Sequence, residues 1–196
     1  NLRQAYLSSL AGDGSRAAGS LDKALQLSPD FVFPFRTEDK TVLEWAMTRS
    51  DHWVLKYYSA LLDLSLGNSE AARELFRKCG DSPDYPYFYV ARTAVLGSEP
   101  GYDTEQDLLK AKGLAGDDWR IAERLISYYL SCNRSAEALA IVKTSAAKFP
   151  ANNTLKYEYA KCLMAAGEYA RAREMLAKTV ILPSEGARFG RTTYRQ

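Results

Sequence analysis

WRIAERLISYYLSCNRSAEALAIVKTSAAKFPANNTLKYEYAKCLMAAGEYARAREMLAKTVILPSEG, residues 119–186, is the stretch on which the fold turns. It reads as two helical hairpins laid end to end in one register. Leu125 is answered by Tyr159, Tyr129 by Leu163, Ala138 by Ala172 and Val142 by Leu176, each 34 residues on. A period of about 34, with a small residue inside the second half of each unit, marks stacked helix–turn–helix units. Each such hairpin has more apolar surface than it can cover alone and buries it against its neighbours.

Upstream the same register persists. Residues 85–118 give a first helix on Tyr87, Phe88, Ala91 and Val95. A turn follows at Gly97-Ser98-Glu99-Pro100-Gly101, then a second helix over 103–113 on Leu108, Leu109 and Ala111. Residues 53–84 give Trp53, Tyr57, Ala60, Leu61 and Leu64, a turn at Gly67-Asn68, then Ala71, Ala72, Leu75 and Phe76. Residues 1–29 read as an incomplete first hairpin on Leu2, Ala5, Tyr6 and Leu10, then Ala17, Leu21, Ala24 and Leu25, closed by Pro29.

Ala17 and Ala72 should hold the same place in successive units, yet they lie 55 residues apart, longer than one period by about a helix and its connector. The excess falls at 30–50. Phe31-Val32-Phe33-Pro34-Phe35 is too short and Pro-broken for a central strand. It is expected to be an extended connector with its aromatics tucked inward. A helix capped by Thr37, with Val42, Leu43, Trp45 and Ala46 as its buried side, should follow. Ala17, Ala72, Ala138 and Ala172 fill the close contact within each hairpin, Thr104 being the exception. Ala24, Ala111, Ser145 and Thr179 fill a second small place. After Pro183, Ser184 is placed to cap a further helix, of which 187–196 would be the start. A chain that opens in mid-repeat and stops in mid-helix reads as part of a longer one.

Composition sets bounds on function. A hydrophobic fraction of 46% and a charged fraction of 26% suit a packed core under a water-facing surface. A net charge of +2 gives no electrostatic case for nucleic acid or an anionic membrane, and no apolar run reaches the ~18 residues a membrane span needs. Cys79, Cys132 and Cys162 are odd in number and form no CxxC, so each is expected as a small apolar filler. A reducing compartment such as the cytoplasm is favoured over an oxidising one. His52, the one histidine, sits beside Asp51 and Trp53 at a helix start and is expected to cap it. No GxSxG, P-loop or dinucleotide fingerprint appears, and no nucleophile–base pair. Neither an enzyme nor a cofactor or metal site is expected within these residues. Arg188, Arg191 and Arg195 read as a solvated helix end.

These residues and their period resemble the tetratricopeptide repeat family. The resemblance covers nearly the whole chain outside 30–50 and the last dozen residues. It implies an all-α fold: a hairpin solenoid, wound as a right-handed superhelix, of about five hairpins with one inserted helix. The repeats would be 53–84, 85–118, 119–152 and 153–186. Two positions depart from the family. Arg92 and Ile126 stand where it favours a small residue, which implies looser packing in the middle units. The segments FVFPFRTEDKTVLEWA, WVLKYYSALL and DYPYFYVAR also resemble the C-terminal repeat region of large bacterial proteins that carry the uncharacterised domain DUF5107. That likeness implies an accessory region beside carbohydrate-active-enzyme-like domains.

The family's inner face is built by the first helix of each unit. Carried over, that face holds Tyr57, Tyr89, Glu123 and Tyr157 in one row, Leu61, Thr93, Ser127 and Lys161 in the next, and Arg120 ahead of them. Tyrosine offers large contact area with a polar tip; Tyr89 and Tyr157 suit binding and the filling of gaps between hairpins equally, whereas packing is favoured for Tyr57, with Tyr58 and Trp45 close by in sequence. Lys161 and Arg120 alone are too sparse for the lysine- and asparagine-lined clamp with which some family members grip a terminal carboxylate. The expected partner is a protein or peptide, or other domains of the same polypeptide; an RNA-binding helical repeat is the lesser alternative.

Overall fold

The computed structural model describes residues 1–34 and 36–179. The expected cap at Ser184, the helix start at 187–196, Arg188, Arg191, Arg195 and the Phe35 ring all lie outside these. Among the described residues every regular element is an α-helix, and the chain divides into two units, Asn1–Tyr102 and Asp103–Gln196.

The first unit holds α1 (Leu2–Leu10), α2 (Gly14–Leu25), α3 (Thr37–Met47), α4 (Trp53–Ser65), α5 (Ser69–Cys79) and α6 (Pro86–Leu96). α1 with α2 and α4 with α5 are antiparallel hairpins. The turn of the second needs a left-handed residue, supplied by Gly67 at φ 80°. Asp13 caps α2 by accepting from the Arg16 N–H at 2.9 Å, and His52 Nδ1 accepts from the Val54 N–H at 3.3 Å to cap α4. α3 opens at Thr37 itself, so the cap position belongs to Arg36 rather than to Thr37.

α3 packs against both α1 and α4. The Arg3 guanidinium reaches Asp39 at 2.6 Å, the Trp45 indole N–H donates to Ser9 Oγ at 3.1 Å, and the Tyr6 and Trp45 rings meet edge to face at 5.7 Å. Val42, Leu43 and Ala46 form its buried stripe. The connector before it corrects one expectation. Phe31 is 92% exposed and Phe33 66%, with Val32 and Leu27 also exposed. Phe31 stands at φ 59°, a left-handed conformation that turns the chain at the connector. Five residues without helical or strand period carry no face to aim at a core, so their apolarity does not by itself bury them. Phe31→Ser with Phe33→Ser should therefore shift Tm by no more than about 1 °C, because neither ring loses packing. A thermal melt checks this.

The core of the first unit is aromatic. Tyr57 of α4, Phe76 of α5 and Phe88 of α6 meet with ring centroids 5.6–6.1 Å apart, and Trp53 lies 5.9 Å from Phe88. Arg92 is buried with its charge satisfied: Nη2 pairs with Asp81 at 2.9 Å and Nη1 donates to the Gly80 carbonyl at 2.5 Å. Its guanidinium also lies over the Phe88 and Tyr89 rings. A large residue at this small-residue position thus serves as a clasp on the loop before α6.

The second unit holds α7 (Thr104–Ala115), α8 (Trp119–Ser131), α9 (Ser135–Lys148), α10 (Asn153–Ala165) and α11 (Tyr169–Ala177). α8 with α9 and α10 with α11 are hairpins, and α10 packs on both α8 and α9. The starts of corresponding helices are 34 residues apart. Asp103, Asp118 and Asn152 each cap the helix that follows by accepting a backbone N–H. Asn133, at φ 59°, turns the first hairpin, and Gly167, at φ 77°, occupies the same place in the next.

Leu108, Leu125, Ile126, Tyr129, Ala138, Val142, Leu155, Cys162, Leu163 and Ala172 form the core of this unit. Ile126 is fully buried. Thr104 opens α7 as its first helical residue and is half-buried, whereas Ala138 and Ala172 stand four residues into their helices and are buried. One cluster had no signal in the period. Arg134 pairs with Glu105 at 2.5 Å and Glu137 at 2.7 Å, and Tyr129 donates to Glu105 at 2.9 Å. The hydrogen bonds from Arg134 and then Tyr129 hold the Glu105 carboxyl below its ordinary range. These contacts fasten α7 to the α8–α9 turn.

Candidate interaction surface

The nine side chains expected on the inner face are placed unequally. In the first unit Tyr57 and Tyr89 are buried. Tyr57 sits inside the aromatic core, and burial pushes its pKa upward. The Tyr89 hydroxyl donates to the Pro83 carbonyl at 2.7 Å and lies 3.3 Å from that of Asp81. Its tip is thus spent on the loop ahead of its own helix. Leu61 and Thr93 are half-buried, the Thr93 hydroxyl donating to the Val90 carbonyl at 2.8 Å.

In the second unit the remaining five stay accessible. Arg120 and Ser127 are exposed, and Glu123, Tyr157 and Lys161 are half-buried. Arg120, Glu123 and Ser127 lie three, then four residues apart on α8, and so share one face; Tyr157 and Lys161, four apart, share a face of α10. The Arg120 guanidinium lies over the Trp119 ring at 4.7 Å, and the Lys161 ammonium lies 5.4 Å from the Tyr157 ring centroid.

Beside Tyr157 and Lys161 on α10 stands Glu158. Its residue is 4% exposed although its neighbours in sequence, Tyr157 and Tyr159, are half-buried. Lys161 Nζ stands 2.7 Å from its Oε2, an ion pair by distance but off the direction of a hydrogen bond. Burial raises the Glu158 pKa; the Lys161 contact opposes this and the nearby Glu123 carboxylate adds to it. α10 packs on α8, the helix that carries Glu123. The sequence did carry a signal: Leu155, Glu158 and Cys162 fall at i, i+3 and i+7 on the buried side of α10.

A carboxyl whose folded pKa lies above its unfolded value stabilises the fold fully below the unfolded value. That contribution is lost as pH rises through the folded one. At neutral pH, Glu158→Gln should therefore raise Tm by about 2 °C. The gain should vanish below about pH 4, where an ordinary glutamate is itself protonated. Melts of the variant and the parent at the two pH values check the sign. Burial likewise pushes the Cys79 and Cys162 thiols up to about 12, which leaves both as unreactive filler.

Among the described residues no group of three or more His, Cys, Asp or Glu is placed to hold a metal ion. No helix there is long and apolar enough to cross a membrane.

A family model described as tetratricopeptide repeat matches residues 130–181, from the end of α8 through α11 and just beyond. Residues 130–181 are tetratricopeptide repeat sequence. No curated protein matches the chain. Among solved structures, one titled "MamA RS-1 ArsTM double mutant" is similar over 89% of this chain and 92% of its own, with a TM-score of 0.61 at 17% identity. A second, "MamA MSR-1 C2", is similar over 91% of this chain and 95% of its own, with a TM-score of 0.58 at 16% identity. At such identity the likeness speaks for the fold, and it extends the tetratricopeptide-type architecture well beyond the matched repeat. Repeats of this type and their stacked hairpins support a protein–protein interaction scaffold.

Proposed function

We propose that the chain is a non-catalytic scaffold and that the α8–α10 face of its second unit takes a peptide or helix of a protein partner. One observation carries the reading. Arg120, Glu123, Ser127, Tyr157 and Lys161 remain accessible on α8 and α10, two helices that pack on one another and so set charges of both signs beside a tyrosine. Such a face offers an aromatic anchor with a polar tip and charges of both signs at fixed spacing, which selects register as well as contact area. Arg120→Glu with Ser127→Arg, both at exposed positions of this face, tests it. The pair should weaken capture of a partner about tenfold or more while leaving Tm within a degree or so. Capture at undiminished strength rejects this face.

A second use, docking to other domains of the same polypeptide, is favoured by the exposed Leu27, Phe31, Val32 and Phe33 of the connector. Under it, Phe31→Ser with Phe33→Ser abolishes association and the α8–α10 double variant leaves it intact.

A further inference from the structure

In the first unit three chain segments line an open pocket of about 420 Å3: the end of α2 with the connector behind it, Leu25–Pro29; the start of α4, His52–Val54; and Asp84 with Tyr85 ahead of α6. The volume falls within the ~300–1,000 Å3 of small-ligand sites. His52, Trp53 and Tyr85 are among its lining residues, the rings of the first two stacked with centroids 5.8 Å apart. Asp84 is the only formally charged side chain among the described lining residues. Asp30 stands behind Tyr85 and takes a hydrogen bond from its hydroxyl; burial first, and Asp30 second, push that phenol up to about 12.

The backbone adds to the negative side. α2 ends here and presents its carbonyl end. α4 also begins here; its Val54 N–H is held by His52 Nδ1 and its Leu55 N–H by the His52 carbonyl, so two of its opposing donors are spent. Lys56 of α4 is drawn off to Asp51 at 2.7 Å. Ring faces carry negative charge density and attract a cation within ~6 Å of the centroid, most strongly when carboxylates stand behind them.

We propose that this pocket binds an organic cation, the alkylammonium or guanidinium head of a free amine or of a lysine or arginine side chain. The site lies in the first unit and does not depend on the α8–α10 reading. It is tested by NMR titration of the whole chain with choline, N-acetyl-lysine methylamide and N-acetyl-arginine methylamide, with glucose and acetate as neutral and anionic controls.

The cations should move the Trp53 indole and Tyr85 amide signals saturably, and the controls should not. Asp84→Asn should weaken binding about fivefold, and Tyr85→Leu should weaken it further. Asp84 is exposed, so its variant keeps the fold. Preference for choline supports a free amine, and preference for the amino-acid derivatives supports a partner's side chain. The proposal is overturned by no saturable shift with any cation, by equal response to glucose or acetate, or by an Asp84→Asn affinity equal to the parent's.

Discussion

Phe88→Ala is expected to cost the first unit about 4 kcal/mol. Phe88 is fully buried. Its ring centroid lies 5.6 Å from Tyr57, 5.7 Å from Phe76 and 5.1 Å from Tyr89, and Trp53 adds a fourth contact. Truncation opens a cavity where α4, α5 and α6 converge, and a cluster already packed by rings on several sides has little freedom to collapse into it. The edge-to-face pairs with Tyr57 and Tyr89 go as well, at ~0.5–1.5 kcal/mol each. The Arg92 guanidinium, 5.3 Å above the ring, loses one of its two aromatic faces. Urea unfolding followed by Trp fluorescence reads the loss. A cost below about 1 kcal/mol would mean that this cluster is not a core.

The second large effect is one of excess volume. Ala138→Leu should destabilise the second unit by about 3 kcal/mol. Ala138 has no exposed surface, sits four residues into α9, and belongs to one core with Leu125, Val142 and Leu163. A leucine there has to push α8 and α9 apart or leave its rotamer well, and close-packed interiors absorb neither freely. The loss should appear as a lower denaturation midpoint at an unchanged m-value, the sign of a native state weakened without change in what unfolds.

Much of the fold was legible because the apolar period survives the inserted segment. Leu21, Phe76, Leu108 and Val142 hold one register place and all four are buried. The turns were legible for a local reason, since Gly67 and Gly167 supply a left-handed residue that few side chains accept. The surface was less legible. Tyr57, Tyr89 and Tyr157 share one register place, and nothing in that place separates them. The difference comes from neighbours. Phe76 and Phe88 pack on Tyr57, and the Asp81–Pro83 loop folds over Tyr89, whereas Tyr157 is half-buried with the Lys161 ammonium over its ring. Phe31 and Phe33 misled because apolarity without a period has no direction. Glu158 is one charge among many in composition, yet its spacing from Leu155 and Cys162 puts it on the buried side.

The account stands on successive 34-residue units burying corresponding residues in corresponding surroundings. Urea denaturation of three single variants, Ala138→Leu, Ala172→Leu and Ala140→Leu, tests this directly. Ala138 and Ala172 occupy the same place in their hairpins and are buried, while Ala140, two residues along α9, is exposed. The predicted result is a loss of about 2–3 kcal/mol for each of the first two and no more than ~0.5 kcal/mol for the third. Ala172→Leu proving as harmless as Ala140→Leu, while Ala138→Leu unfolds the protein, would contradict it.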